Sequence, residues 1–207
     1  MSHQKIIQEV DSYYTEKLKT FGATPQGVDW NGEASQQLRF SQLLKVIEPQ
    51  NSFSILDYGC GFGSMFEFMK SNYNNFKFTG YDIAETMITE ANKKHGKEAV
   101  WITKLNPQSN YDYVTASGIF NVRLENSNEQ WQTYILDTLN DFNKYSSKGF
   151  SFNVLTQYSH APFMKDYLYY ADPLFLFDFC KKNFSKHIAL LHDYPLYEFT
   201  ILIRKTI

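Results

Sequence analysis

Residues 55–63 read Ile-Leu-Asp-Tyr-Gly-Cys-Gly-Phe-Gly, and no other stretch constrains the fold as tightly. Phe53, Ile55 and Leu56 read as the end of a buried strand, with Asp57 at its carboxyl end. Gly59, Gly61 and Gly63 follow at every second position. Without a Cβ in the way, such a loop turns tightly and lets a ligand approach the backbone. Ser64 and Glu67 have the spacing of a capping box, so a helix is expected to begin directly afterwards. An acid, a bare loop and a helix start suit a ligand that carries hydroxyls or amines beside an adenine-like body.

The rest of the chain alternates between strand and helix patterns. A helix over residues 36–47 leads toward the first strand, and a second strand over 76–81 ends at Asp82. A helix at 84–95 has Met87, Ile88 and Ala91 on one face and Gly96 as its C-cap. Short strands are expected at 100–102 and 111–116. Trp131, Tyr134, Ile135, Thr138, Leu139 and Phe142 recur at helical spacing, bounded by Asn128 and Gly149. A fifth strand at 150–155 follows, then a helix opened by Asp172 as N-cap and Pro173 at the first helical position. Strands at 187–191 and 197–204 close the chain, the last alternating Tyr197, Phe199, Ile201 and Ile203 with Glu198, Thr200 and Arg204.

Such alternation implies a parallel sheet with helices on both faces. Only a few residues, His192-Asp193-Tyr194-Pro195 and Leu196, separate the last two strands. A crossover between parallel strands needs a dozen or more, so the final strand must run antiparallel. The fold class expected is therefore α/β, a Rossmann-like seven-stranded sheet with an antiparallel last strand. A polar, partly helical N-terminal cap over residues 1–48 precedes a main domain over 49–207, in one globular unit.

Two ligand classes use glycine loops of this kind. The dinucleotide fingerprint is G-x-G-x-x-G. Here the third glycine arrives one residue early, and Ser64 holds the dinucleotide position. The run D-x-G-x-G-x-G resembles the first motif of class I S-adenosylmethionine-dependent methyltransferases, and a seven-stranded sheet with an antiparallel last strand looks like the fold of that family. The dinucleotide fold usually has six parallel strands. The resemblance covers residues 50–207.

What the resemblance implies can be placed residue by residue. The donor S-adenosylmethionine is expected in the crevice at the carboxyl ends of the strands. Gly59, Cys60, Gly61 and Gly63 form the loop against it, and Asp57 faces the amino group of its methionine part. Asp82 accepts the ribose hydroxyls or, in the competing local reading, caps the helix that follows. Ile83 and Met87 are walls near adenine or ordinary core residues, and Leu105 lies near the adenine edge. Ser117, Gly118 and Ile119 lie beneath the methionine part. Arg39 offers a planar fork to the donor carboxylate or is a solvated surface arginine. Tyr14 and Trp30 close the cap over the donor or serve as ordinary packing.

The chemistry implied is transfer of an activated methyl group to oxygen or nitrogen of a small-molecule acceptor. A protein or peptide methyltransferase and a non-catalytic donor-binding regulatory protein are the alternatives. Ser117-Gly118-Ile119-Phe120 lacks the N/D-P-P-Y/F signature of amino-methylating enzymes of nucleic acids and glutamine. No carboxylate lies between 114 and 123, so no metal is expected. His160 after the fifth strand is the candidate general base, with His192 as a lesser candidate, because imidazole changes charge near neutral pH. The aromatic stretch 158–170, with Tyr158, Phe163, Tyr167, Tyr169 and Tyr170, lines the acceptor pocket or packs as a loop.

Composition bounds the setting. A net charge of −2 and no basic cluster argue against a nucleic-acid partner. Two cysteines, one inside the glycine loop, fit a reducing compartment. No apolar run approaches bilayer length and no signal peptide is legible, so a cytoplasmic location away from membranes is expected.

Overall fold

A computed structural model of the chain describes residues 3–22, 24 and 32–205. Trp30 lies outside them. Two helices, α1 (His3–Phe21) and α2 (Glu33–Leu43), precede β1 (Phe53–Tyr58), and a 3-10 turn, Leu44–Val46, extends α2. Then come α3 (Ser64–Asn72), β2 (Phe76–Tyr81), α4 (Glu85–His95), β3 (Val100–Ile102) and β4 (Tyr111–Ala116). The chain closes with α5 (Asn128–Tyr145), β5 (Ser146–Leu155), α6 (Pro173–Asn183), β6 (His187–Leu191) and β7 (Glu198–Arg204).

One sheet holds all seven strands in the order β3-β2-β1-β4-β5-β7-β6. The pairings among β1 to β5 are parallel, whereas β7 runs antiparallel to both β5 and β6. The short connection before β7 therefore does what its length demands. It also lets β7 slot between β5 and β6, and α2 and α6 pack over it from opposite faces of the sheet. Glu198 and Thr200, the polar members of its alternation, are consequently fully buried rather than facing water.

Neighbouring residues on a strand feed opposite layers of core. Leu56 and Val114 pack with α5, α6 and the α1 residues Ile6 and Val10. Ile55 and Tyr113 pack with α2, α3 and α4 on the other face. Both faces of the sheet are covered, which is why its strands read as apolar runs.

Two local expectations are corrected. The N-cap of α3 is Gly63 in the left-handed region (φ 87°), not Ser64, and Glu67 pairs with Lys94 at 2.8 Å instead of closing a capping box. A capping box does form at α5, on Ser127 and Gln130, directly before the expected helix start at Asn128. Gly149 lies inside β5 rather than ending α5, because β5 starts at Ser146. A Cβ at Gly149 would run into the Ile203 carbonyl of the adjoining strand, so the glycine permits close strand approach. Asp172 does cap α6, accepting from the Leu174 and Phe175 amides.

Candidate active site

Strand order reverses at β1, whose neighbours are β2 and β4. The segments leaving β1 and β4 diverge there to opposite sides and leave a crevice. A cavity of about 800 Å³ opens at this point. That lies within the roughly 300–1,000 Å³ usual for small-ligand sites.

The glycine loop forms its floor. Gly59 and Cys60 both donate their amides to the Tyr81 carbonyl, at 2.7 and 3.0 Å, and the Gly61 amide donates to Asp82 Oδ2 at 2.9 Å. Gly59, Gly61 and Gly63 all have positive φ. A Cβ on Gly59 would fall inside the Ile119 side chain, so glycine there lets the loops after β1 and β4 touch. With three consecutive amides engaged within the protein, the loop offers a ligand bare Cα surface rather than a cradle of N–H donors. A pyrophosphate needs such donors; a cationic donor without phosphates does not.

Two carboxylates meet here. Asp57 is 2% exposed, and its Oδ1 has no hydrogen-bond partner among the described residues. Burial, then the nearby Asp82 charge, pushes its pKa up to about 8. Burial also lifts Asp82 to about 6, against the pull of the amides of Ala84 and Gly61. The Ala84 amide donates to Asp82 Oδ1 at 2.9 Å, so each carboxylate oxygen already holds one backbone group and keeps a lone pair for a ligand. Asp82 is not the N-cap of α4, a position held by Ala84. Ser117 Oγ is a further buried polar atom on the cavity wall with no partner among the described residues. A ligand that brings an ammonium group and hydroxyls would satisfy these open positions, so the residues present fit an aminoacyl-nucleoside donor.

Eleven of the thirteen residues expected to hold the donor line this one cavity: Arg39, Asp57, Gly59, Cys60, Gly61, Asp82, Ile83, Met87, Ser117, Gly118 and Ile119. Gly63 and Leu105 do not. A Cβ on Gly63 would lie 2.6 Å from Trp101 Cη2 and 2.8 Å from the His95 ring, so this glycine serves packing of α3. Leu105 packs against the larger core layer. Arg39 is buried rather than solvated, and its Nε donates to Glu198 Oε2 at 2.6 Å. Glu198 Oε1 in turn accepts from Asn153 Nδ2 at 2.8 Å, and Asn153 Oδ1 accepts from the Gly118 amide at 2.8 Å. A buried polar chain thus runs from α2 through β7 and β5 to the loop after β4.

His160 is exposed and outside the cavity lining; it reaches the wall through Tyr197, whose hydroxyl lies 2.7 Å from His160 Nδ1. His192 packs against the rings of Tyr158 and Phe199 and does not line the cavity. From the aromatic stretch, Phe163, Tyr167 and Tyr170 line it, while Tyr169 is buried in the core. Sequence reasoning passed over Tyr58, Tyr81 and Tyr134, which wall the cavity, and Asp11 and Lys17 of α1. The two strand-end tyrosines were findable: Tyr58 and Tyr81 are paired in register directly before the two acidic motifs' loops. The α1 residues carried no local signal. Tyr14 does line the cavity, and with Leu18 it packs onto Phe62, Ala84 and Met87, which seats α1 over the glycine loop.

A family model described as a methyltransferase domain matches residues 55–139. The Mycobacterium tuberculosis protein Rv1506c, which bears the name of a methyltransferase, is 44% identical over 164 residues, spanning 78% of this chain and 99% of that one. The DhpI–SAH complex superposes with a TM-score of 0.70 at 13% identity, over 99% of this chain and 98% of that one. The N-methyltransferase NodS from Bradyrhizobium japonicum, in complex with S-adenosyl-L-homocysteine, superposes at 0.66 with 14% identity, over 95% and 98%.

Proposed function

Because this chain belongs to the class I S-adenosylmethionine-dependent methyltransferases, we propose that it methylates an oxygen or nitrogen of a small-molecule acceptor in the cytoplasm. The observation that carries the reading is the continuity of the cavity. The donor-type residues Asp57, Asp82 and Ser117 line the same space as Phe163, Tyr170 and Tyr197 from a different part of the chain. A volume of about 800 Å³ supports two small reactants held side by side. No helix among the described residues is long and apolar enough to cross a membrane.

When bound, the donor supplies a methyl group already activated on a sulfonium. The work left to the protein is alignment and exclusion of water. In this reading Asp57 takes the donor ammonium, Asp82 takes the ribose hydroxyls, and Ile83 and Met87 flank adenine. The loop Ser117-Gly118-Ile119 supports the methionine part, and Arg39, held by Glu198, faces its carboxylate. His160 serves the acceptor side.

Calorimetry with S-adenosylmethionine and its demethylated product tests the donor site, and binding of neither at millimolar concentration would sink it. Release of the demethylated product on addition of a small-metabolite extract supports the acceptor class. Turnover confined to the macromolecular fraction of the same extract would instead assign a protein or peptide acceptor.

A further inference from the structure

The loop after β5 and the turn before β7 bring three rings together, two of them on the cavity wall. Phe163 stacks on Tyr197 with centroids 5.9 Å apart and planes 28° from parallel. His160 meets Tyr197 edge-on, with centroids 5.4 Å apart, and its Nδ1 lies 2.7 Å from the phenolic oxygen. Tyr197 and Phe163 line the cavity, whereas His160 stands behind them in solvent. Phe163 is 64% and Tyr197 42% exposed, so these rings are not held there by core packing. A phenol on the cavity wall whose hydroxyl is hydrogen-bonded to an imidazole standing in solvent is an arrangement that can carry a proton out of the site.

The geometry points to Tyr197 as a catalytic residue that touches the acceptor, paired with His160 as its proton outlet. The inference rests on the reading of this cavity as the methyl-transfer site. As the bond between the acceptor heteroatom and the methyl carbon forms, the carbon–sulfur bond breaks and leaves its electron pair on sulfur. The acceptor's O–H or N–H proton moves to Tyr197 Oη while the phenolic proton moves to His160 Nδ1. The resulting imidazolium releases a proton from Nε2 to solvent, so charge lost at sulfur reappears as one released proton. The face of Phe163 turned away from Tyr197 suits an acceptor whose hydroxyl or amine sits on an apolar body. A hydrogen bond that merely tied the loop to β7 would have no effect on turnover separate from stability.

The test uses Tyr197→Phe, His160→Gln and the double variant, with S-adenosylmethionine and a small-metabolite extract as probes. The expected result is donor affinity within about twofold of wild type and turnover lower by about 10²–10⁴-fold in each single variant. The double variant should be no slower than the singles, since both residues serve one route. Independently of turnover, nitrogen-edited NMR of the wild type should show His160 as one fixed tautomer with Nδ1 accepting a hydrogen bond, and Tyr197→Phe should abolish that signature. A turnover change under about threefold in Tyr197→Phe, donor affinity falling in parallel with turnover, or no Nδ1 hydrogen bond in the wild type overturns the pair. Wild-type donor binding without any turnover of the extract overturns it as well. Failure of the wild type to bind donor takes down the site reading first, and the pair with it.

Discussion

Arg39 Nε donates to Glu198 Oε2 at 2.6 Å, linking α2 to β7 across 159 positions of sequence with both groups buried. Burial raises the Glu198 pKa, opposed by the Arg39 charge and by its hydrogen bonds to Arg39 and Asn153. A charge pair taken out of water contributes little net stability, but removing one member strands the other. Glu198→Ala should therefore destabilise the fold by about 3–5 kcal/mol, read by denaturant unfolding. The same variant loosens Asn153 and the Gly118 amide. Glu198→Ala and Asn153→Ala should accordingly be non-additive in a double-mutant cycle. Simple additivity would show that the polar chain is not one unit.

Donor binding should depend on pH through Asp57. In the free protein its pKa of about 8 keeps it mostly protonated at neutral pH. An ammonium partner requires the ionised form. Affinity should rise with pH toward about 8 and decline at higher pH as the donor's own ammonium deprotonates. On the acid side a proton is released on binding, seen by calorimetry in buffers of different ionisation heat. Asp57→Asn should weaken binding and flatten the profile. A wild-type affinity that stays constant from about pH 6 to 9 would remove Asp57 from this role.

The same shift has a stability sign. The folded pKa of Asp57 lies above its unfolded value of 3.8, so the folded state holds the proton more tightly between 3.8 and about 8. Its contribution is complete below the lower value and lost as pH rises through the upper one. The unliganded wild type should lose stability relative to Asp57→Asn as pH rises from about 5 to 8.5, measured by thermal melting at matched ionic strength. A widening gap in the opposite direction would contradict the burial argument.

Asp82→Ala should weaken donor binding by roughly 1.5–3 kcal/mol, the range for hydrogen bonds to a charged group. Its oxygens also hold the Gly61 and Ala84 amides, so the glycine loop loses an anchor. The melting temperature must be measured alongside to separate the two effects. Affinity unchanged in a folded variant would place the ribose elsewhere.

Gly59→Ala tests the floor of the cavity. Its φ of +80° costs a side-chain residue about 1–2 kcal/mol, and the new Cβ would fall inside Ile119. Donor binding should be lost or strongly reduced. Adding Ile119→Ala should recover part of it by opening space, while the backbone strain remains. No recovery would mean that φ, rather than the contact with the loop after β4, is the constraint.

Much of this molecule follows from residues that act over a few positions. The bounds of β2, β3, β4 and β6 were legible from short apolar runs between turns, and the cap of α6 from Asp172 and Pro173. The antiparallel β7 followed from the short reach of the connection after β6, residues 192–197. The glycine loop and the acids at the ends of β1 and β2 carried most of the cavity floor with them. Tertiary structure decided the rest, because the deciding contacts join residues far apart in the chain. Whether Glu198 faced water depended on α2 packing over β7. Whether Arg39 was solvated depended on Glu198 waiting at the other end of the sequence. His160 acquired a partner, and lost direct access to the cavity, only when the turn before β7 brought Tyr197 against it. Local pattern sets φ, period and capping; burial and pairing are properties of the packed sheet, and no window of sequence contains them.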